Sequence, residues 1–390
     1  MNRKEFLTKS VMLGAGVGLM PMLLQSCKTE IVPSNFQGKV LIIGAGAAGL
    51  MAGYRLAQQG KDFQILEASA VFGGRVRKLE GFADFPIDLG AEWIHTKPKV
   101  FGELLDNEKA EGRIELISYR PKSIQSWKND RIRNHNWTSM VYREYKFKNS
   151  TWYDFLADFV VPPIADQITY HQEVSQIDYT SAKVKVSTAD NQEYEADKVI
   201  VTVPLKILQK NLIDFQPALP QEKTDAMNTV DVPPGIKVFI EFSERFYPDM
   251  LIPGGLLDQS KLYYDIAFGK DSDRHVLGLF WVAPEAESLT SLDDEAIIQT
   301  IITELDEIFD GKASASYQKH VVQNWSKEPF IQGSYSHYGE NYSQNVEALI
   351  RPIDNKVFFA GEAMINGDSS TVHGAGFSGI AAADAILSEG

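Results

Sequence analysis

Cysteine is nearly absent from this chain, which contains only Cys27 among its 390 residues. A single thiol excludes an intramolecular disulfide, a thiolate zinc site and an iron–sulfur cluster. Basic residues are also fewer than acidic ones, 38 against 52, and the formal net charge is −14. Because nucleic-acid-binding proteins present a basic surface to phosphate, we expect no nucleic-acid partner, and the acidic balance favours cationic small molecules.

The apolar stretch near the N-terminus is too short to cross a membrane. Residues 11–24 are 14 uncharged, mostly apolar positions, whereas a bilayer span needs about 20 residues. Residues 24–27 (Leu-Gln-Ser-Cys) then resemble a bacterial lipobox, in which the cysteine is lipidated. We therefore expect residues 1–27 to be an export signal, Cys27 to carry a lipid anchor at the cell-envelope or periplasmic membrane surface, and residues 28–38 to be a tether. A buried helix with an incidental cysteine is the alternative.

A glycine-rich turn follows the tether. Residues 40–43 predict a buried strand, residues 50–57 predict a helix, and Gly-Ala-Gly-Ala-Ala-Gly lies between them. Gly44 permits the tight turn, Gly46 lets the backbone approach a pyrophosphate, and Gly49 lets the helix pack on the strand. The N-terminus of this helix, which includes Ala48, offers free N–H groups to phosphate oxygens.

The next two motifs identify the nucleotide. A second predicted strand, residues 62–66, ends at Glu67, whose carboxylate is placed to accept hydrogen bonds from a ribose diol; an acid there disfavours NADP. Gly73, Gly74 and Arg75 follow closely. The glycines allow close backbone approach and the arginine can pair with pyrophosphate oxygens, a combination that favours FAD over NAD.

These residues resemble the flavin-containing amine oxidase family, which includes monoamine oxidases, polyamine oxidases and flavin-dependent histone demethylases. Further segments agree with that family: Asp88-Leu89-Gly90-Ala91-Glu92-Trp93-Ile94-His95, residues 198–204, Trp325 with residues 333–336, residues 358–362, residues 371–375 and residues 378–379. The resemblance implies an α/β fold, with a Rossmann-like FAD-binding domain of the glutathione reductase type interleaved with an α+β substrate domain.

The clustered motifs suggest how the domains alternate along the chain. The FAD-binding domain is expected to comprise residues 39–96, 166–228 and 336–390, and the substrate domain residues 97–165 and 229–335. Pro and Gly at positions 233–235 punctuate one crossing between them.

The resemblance also implies which residues contact FAD. The expected cofactor contacts are Gly44, Gly46, Ala48, Gly49, Glu67, Gly74, Arg75, Gly90, Ala91, Glu92, Trp93, Val174, Trp325, Gly361, Glu362 and Val372. Among them, Val174 would lie against the adenine, Glu92 near the ribityl chain or backbone, Glu362 near the ribityl–phosphate region, and Val372 would offer its backbone N–H to the flavin. Ser334 stands where some monoamine oxidases attach FAD through cysteine, so the FAD is expected to be non-covalent.

Three residues are expected to act on the substrate. By resemblance, Lys237 is bridged through water to flavin N5, where burial would lower its pKa; an exposed lysine on an edge strand is the alternative. Tyr335 corresponds to one wall of an aromatic cage, whereas Thr371 replaces the opposite wall; core packing is the alternative for Tyr335. His95 either accepts a proton from the ammonium substrate or is a structural hydrogen-bonding histidine.

One segment is basic, although the chain as a whole is acidic. Residues 120–148 carry eight Lys or Arg against two acidic residues, and residues 145–148 alternate like a half-exposed strand. A solvated face, docking on anionic lipid and recognition of a substrate carboxylate are the three interpretations.

The sequence thus predicts a lipid-anchored FAD-dependent amine oxidase, which transfers a hydride from an amine carbon to flavin N5 and passes the electrons to oxygen. The alternatives are an L-amino acid oxidase, with Arg133 or Arg143 binding the carboxylate, a desaturase or porphyrinogen oxidase-like enzyme, and a non-catalytic flavoprotein.

Overall fold

A computed structural model describes residues 34–107, 112–137, 144–256, 258, 260–339 and 342–389. The predicted export signal with Cys27, residues 28–33 of the predicted tether, and Arg143 lie outside the described residues. None of the helices in the described ranges combines the length and the apolar character needed to cross a bilayer.

The strands run in the following chain order: β1 (Lys39–Ile43), β2 (Asp62–Leu66), β3 (Lys78–Leu79), β4 (Ile87–Asp88), β5 (Leu116–Tyr119), β6 (Ile124–Trp127), β7 (Ile132–Asn134), β8 (Glu144–Phe147), β9 (Ile168–Thr169), β10 (Val174–Asp178), β11 (Val184–Thr188), β12 (Glu193–Ala196), β13 (Lys198–Val201), β14 (Asp214–Gln216), β15 (Val230–Asp231), β16 (Gly235–Phe242), β17 (Met250–Pro253), β18 (Lys261–Asp265), β19 (His275–Val282), β20 (Tyr317–Asn324), β21 (His337–Tyr338) and β22 (Val357–Phe359). The helices are α1 (Ala47–Gln58), α2 (Val100–Leu105), α3 (Trp152–Phe155), α4 (Leu205–Gln209), α5 (Gln221–Asn228), α6 (Glu287–Thr290), α7 (Asp294–Phe309), α8 (Lys312–Ser316), α9 (Tyr342–Ile350) and α10 (Val372–Leu387), with a π-helical turn at Leu156–Val160 and 3-10 turns at Pro162–Gln167 and Pro284–Ala286.

A parallel sheet in the order β22-β13-β1-β2-β9 forms the first layer. β1 pairs with β2 from Lys39↔Asp62 to Ile43↔Leu66, and α1 makes the crossover between them. α10 packs on α1, and buried residues of both helices share one apolar core. The carboxyl ends of parallel strands meet at one edge, where such sheets bind nucleotides. The predicted α/β fold with a Rossmann-type domain is confirmed.

A smaller sheet, β12-β11-β10-β14, packs on the other side of β1. Its buried residues Ile177 and Val184 belong to the same apolar cluster as Leu41 and Ile43 of β1. The parallel sheet is therefore covered on both faces, as its continuous apolar strands require.

A seven-stranded sheet, β20-β16-β19-β18-β17-β6-β7, forms a further layer, and the two-stranded sheets β3-β4, β5-β8 and β15-β21 complete the described strands. Alternate residues of β16 point to opposite faces. Ile236, Val238 and Ile240 pack with the apolar face of α7. Lys237 and Phe239 point to the opposite face, where the loop at residues 89–95 lies.

Both predicted insertions contribute strands to this sheet, β6 and β7 from residues 97–165 and β16 to β20 from residues 229–335. The helical parts of the first insertion pack elsewhere: Phe101 of α2 and Trp152 of α3 share the apolar core of α1 and α10. The first insertion therefore contributes to two cores, and the exact domain boundaries stay a prediction.

Candidate active site

The glycine-rich turn has the geometry of a phosphate cradle. Gly44 has φ +104°, a conformation that favours glycine. A Cβ on Gly49 would lie 1.9 Å from the carbonyl oxygen of Gly44, so only glycine allows α1 to begin so close to the turn. A Cβ on Gly46, the N-cap residue of α1, would meet nothing within 4 Å. Open space beside a helix N-terminus suits an anion.

Glu67 lies next to this cradle and is buried. One carboxylate oxygen accepts the N–H of Ala45 at 2.7 Å, and the other accepts the N–H and the hydroxyl of Ser69 at 2.9 and 2.7 Å. A carboxylate offers about four lone-pair sites, so acceptor capacity remains for the hydroxyls of a ribose. The arrangement fits the role predicted for Glu67.

The C-terminal motif reaches the same edge of the sheet. Gly361 follows β22, which is separated from β1 only by β13, so the two glycine motifs are roughly 10 Å apart. A Cβ on Gly361 would also meet nothing within 4 Å. Val372 begins α10, and the first N–H groups of a helix have no intrahelical acceptor. Two open backbone surfaces at one sheet edge fit a dinucleotide such as FAD.

Arg75 and Glu362 join these two motifs. Nη1 of Arg75 donates to Glu362 Oε1 at 2.9 Å and to the carbonyl of Ser334 at 2.6 Å. Glu362 also accepts the N–H and the hydroxyl of Ser336. Arg75 keeps about a quarter of its side chain exposed, 24%. The arginine predicted to contact the cofactor thus also holds the C-terminal motif against the N-terminal one.

The other predicted contacts lie in the same region or border it. A Cβ on Gly74 would lie 3.5 Å from Cα of Gly46. Trp325 donates its indole N–H to Leu89 at 3.2 Å, beside Gly90 and Ala91. Val174 begins β10 and is buried in the cluster that contains Leu66. Ala48 is buried in α1, so a contact with phosphate would come from its backbone. Thr371, at the missing cage wall, instead caps α10 by accepting the N–H of Gly374 at 3.0 Å.

Lys237 is fully enclosed rather than exposed on an edge, because β16 is paired on both sides and the side chain is 3% exposed. Its ammonium donates to the carbonyls of Asp88 at 2.8 Å and Gly90 at 3.1 Å, and to Glu92 Oε2 at 2.9 Å. An ammonium has three N–H donors, and these three acceptors use them all. The water bridge implied by resemblance would therefore require one of these contacts to be released.

The carboxylate of Glu92 is bound by three side chains, and its predicted position near the ribityl chain or backbone of FAD stays a prediction. Its Oε2 binds Lys237 and accepts the hydroxyl of Tyr264, and its Oε1 forms an ion pair with Lys146. Burial alone would raise the pKa of the Glu92 carboxyl, but the two lysines outweigh burial and lower it to about 2. Glu92 is therefore an ionised, internally paired carboxylate.

Lys146 corrects the interpretation of the basic segment. The side chain is 2% exposed, and its ammonium lies 4.8 to 5.5 Å from the ring centroids of Tyr119, Tyr264 and Trp93. The alternation at residues 145–148 suggested a half-exposed strand, but β8 pairs with β5 and is bridged to Ile94 on its other side. Partners on both sides bury a lysine that looked solvated.

An aromatic wall stands beside Lys237. Phe280 is the direct cross-strand partner of Lys237, so both side chains point to the same face of the sheet. Tyr335 stacks on Phe280 with ring centroids 6.5 Å apart and an interplanar angle of 13°. His337 and Trp93 border this pair, at 5.1 Å from Tyr335 and 6.0 Å from Phe280 respectively. The predicted cage residue Tyr335 therefore has Phe280 as its neighbour in the wall.

His95 lies at the exposed end of the same loop, with 49% of its side chain exposed. Its Nδ1 is 2.9 Å from Glu144 Oε1. Burial of the ring would lower the pKa of His95, but the hydrogen bond and the charge of Glu144 outweigh it and raise this pKa above the usual 6.5. Glu144 and Lys146 point to the same side of β8, so one strand holds both His95 and Glu92.

We expect Glu144→Gln to lower the pKa of His95, because the amide keeps a hydrogen bond but loses the charge. A raised folded-state pKa stabilises the fold below the unfolded value of about 6.5, and this contribution is lost as pH rises through the folded value. The variant should therefore also reduce the pH dependence of unfolding in that window. Titration of the His95 imidazole by NMR measures the effect, with the exposed Glu103→Gln as control. An unchanged His95 titration would contradict the pairing.

Sequence reasoning missed Phe280, Lys146, Tyr264 and Glu144. Nothing in the local pattern marks them, because each reaches the site through a strand pairing distant in sequence. Within the described residues, no group of three or more His, Cys, Asp or Glu side chains is placed to hold a metal ion.

Comparison with known proteins identifies the family. The model of the flavin-containing amine oxidoreductases matches residues 47–160 and 153–387. The chain is 26% identical over 473 residues to the mouse lysine-specific histone demethylase 1B, covering 98% of this chain and 56% of that protein. It is also 26% identical over 451 residues to polyamine oxidase 7 of Oryza sativa subsp. japonica, covering 90% of this chain and 95% of that protein. The chain thus spans little more than half the length of the mouse and human histone demethylases it matches, 56% and 57%.

Solved structures agree on the fold. Putrescine oxidase bound to putrescine aligns with a TM-score of 0.74 at 15% identity, covering 91% of this chain and all of that one, 100%. Cyclohexylamine oxidase from Brevibacterium oxydans IH-35A aligns with a TM-score of 0.75 at 16% identity, covering 91% of this chain and 99% of that one. The family model matches most of this chain, and the nucleotide cradle is in place. The chain therefore belongs to the flavin-containing amine oxidoreductase family.

Proposed function

We propose that the protein is an FAD-dependent amine oxidase that converts a primary or secondary small-molecule amine to an imine. Hydrolysis of the imine gives an aldehyde and ammonia or a smaller amine, and oxygen is reduced to hydrogen peroxide. Bound, non-covalent FAD would supply the two-electron chemistry, taking a hydride from the carbon that carries nitrogen. Related polyamine oxidases and structurally similar putrescine and cyclohexylamine oxidases support an amine as the substrate.

The protein's own residues would bind and orient the amine. The stacked faces of Tyr335 and Phe280 provide an apolar wall that attracts a cationic nitrogen and excludes water. His95, held by Glu144, would accept the proton that the ammonium form must lose. Lys237 is fixed by the loop that carries Trp93 and His95, so the wall, the base and the lysine form one unit.

The observation that carries this proposal is the position of Lys237 opposite Phe280 in the sheet, with Tyr335 stacked on Phe280. It places a buried cation beside an aromatic wall next to the cofactor cradle. Anaerobic mixing of the flavin-loaded protein with a panel of mono-, di- and polyamines tests it, and bleaching of the flavin absorbance is expected with at least one. If no amine reduces the flavin, the proposal is wrong.

The described residues give the rival activities less support. An amino acid oxidase needs an arginine at the substrate, but Arg133 lies on β7, five strands from β16 and roughly 24 Å away. A desaturase acting on a large apolar ring would use an apolar cavity, whereas Lys237, Glu92 and Lys146 concentrate charge here. We therefore favour an amine.

Tyr335→Ala is expected to raise KM for the amine about tenfold, because the variant removes one aromatic face from the wall. The matched control is Tyr317→Ala, which removes a ring that is 39% exposed and should leave KM unchanged. Steady-state peroxide production at varied amine concentration measures both. An unaltered KM in Tyr335→Ala would place the substrate elsewhere.

For localisation we propose export and lipid anchoring through Cys27. The support is the apolar stretch and the lipobox-like residues 24–27. Radiolabelled fatty acid should be incorporated into the wild-type chain and not into Cys27→Ser, and equal incorporation into both would overturn the proposal.

A further inference from the structure

Two buried lysines share one carboxylate beneath the loop at residues 88–92. Lys237 contacts Oε2 of Glu92 at 2.9 Å, and Lys146 contacts Oε1. All three side chains are nearly inaccessible, with 3%, 2% and 6% exposed. Taking each ion out of water costs several kcal/mol, so the burial of a second lysine on the same carboxylate requires an explanation.

Within the described residues, the ion pair that Lys146 forms is with Glu92. Tyr264 from β18 donates to Glu92 and so uses acceptor capacity without adding charge. Asp88 is a second buried carboxyl beside the cluster; burial, followed by the charge of Glu92, raises its pKa well above the usual value. Asp265 of β18 shares Arg245 with Asp249, at 3.1 and 2.5 Å, and lies close enough for the charge of Lys146 to act on it.

Lys270 is a third lysine that faces the cluster. It donates to the carbonyls of Phe147 and Lys148 at 3.3 and 2.9 Å, and burial lowers its pKa to about 8. A cavity of about 10 Å³ lies between Asp88, Glu92, Lys146 and Lys270, room for a single water molecule. Lys146, Lys237 and Lys270 thus all lie around Glu92.

The charge balance makes the proton on Lys237 easier to release. With both lysines protonated, the unit of Lys237, Glu92 and Lys146 carries a net charge of +1, and loss of one proton leaves a neutral unit, which burial favours. Lys237 would then keep two N–H donors and gain a lone pair, the proton passing to solvent. One of its three acceptor contacts would open, which frees the nitrogen to meet a water or a substrate.

We propose that Lys146 is a positioning residue for Lys237, and that by sharing Glu92 it allows Lys237 to release its proton at lower pH than a one-to-one Lys237–Glu92 pair would. The surroundings of Lys237 agree with this proposal. Burial lowers the pKa of Lys237, the charge of Glu92 raises it, and the charge of Lys146 lowers it. The benefit to catalysis rests on the proposed amine oxidase function, but the charge relation does not.

The test is an NMR titration of the flavin-loaded protein labelled in its lysine side chains, with the Lys237 signal assigned by its loss in Lys237→Met. In Lys146→Met, which keeps the length of the chain but not the charge, the proton-dissociation constant of Lys237 should fall roughly tenfold, so that it titrates at higher pH. In Glu92→Gln it should titrate at lower pH than in the wild type. Lys146→Arg should keep the wild-type titration, because the charge is restored.

Lys148→Met is the matched control, since it removes a lysine two residues away that pairs with the exposed Asp271. It should leave Lys237 unchanged. An unchanged Lys237 titration in Lys146→Met, or a shift to lower pH, would overturn the proposal. If Lys146→Met does not fold, Lys146→Gln, which keeps a polar group but removes the charge, replaces it, and an unchanged Lys237 titration there also overturns the proposal.

The titration needs no substrate. Failure of every amine to reduce the flavin would therefore reject the oxidase function and leave this relation standing, whereas an unmoved Lys237 signal would reject the relation alone.

Discussion

Replacing Gly46 with leucine is expected to abolish FAD binding and to leave the fold intact. The position is the N-cap of α1 with φ −75°, a backbone conformation open to any residue, and an added Cβ would meet no protein atom within 4 Å. The new side chain would instead fill the space where the pyrophosphate approaches the helix. We expect affinity for FAD to fall about 100-fold or more, or about 2.7 kcal/mol.

The measurement is FAD binding by the flavin-free chain, together with its thermal unfolding midpoint before and after FAD is added. Gly112→Leu is the matched control, because a Cβ there also meets nothing within 4 Å and the residue lies outside the cradle. The flavin-free midpoints of the two variants should agree, and only the control should gain stability with FAD, since a ligand stabilises the state it binds. Normal FAD binding by Gly46→Leu would refute the position assigned to the cofactor.

The nucleotide cradle could be predicted because its information is local. Gly44, Gly46 and Gly49 each have a steric role set by the turn itself, and Glu67 follows at the end of the next strand. The second predicted strand coincides with β2, and α1 begins only three residues before the predicted helical stretch. Strand, turn, helix and strand are adjacent in sequence, so their spacing along the chain largely determines how they are arranged.

The interior of the site could not be predicted in this way. Phe280 reaches Lys237 through the register of β16 and β19, and Lys146 reaches Glu92 through the bridge between β8 and Ile94. Neither pairing leaves a trace in the local pattern. An alternating basic strand indicates a solvated face only if the face has no buried carboxylate to meet, and Glu92 lies 54 positions before Lys146, since 146 − 92 = 54.

Family resemblance located Lys237 but could not describe its bonding. The three acceptors of its ammonium are two loop carbonyls and a carboxylate, and the carboxylate is bound by a second lysine. Whether a lysine acts as a fixed cation or exchanges its proton depends on such partners. These partners come together only in the folded chain, so the sequence could not show them, and the water bridge from Lys237 to the flavin stays a prediction.

Lys237→Met should reduce turnover about 100-fold or more, the usual range for removing a group that moves or holds a proton. The fold should survive, because Glu92 keeps Lys146 as its counter-ion.

Lys319→Met on the neighbouring strand β20 is a close control. Lys319 pairs with the buried Glu241, which likewise keeps a second cation, Arg274. Each variant removes one of two lysine or arginine partners from a buried glutamate, but only Lys237 lies at the aromatic wall. Peroxide production at saturating amine measures turnover, and the flavin content of each variant is checked in parallel. Loss of activity in both variants, or in neither, would show that Lys237 has no special part in the reaction.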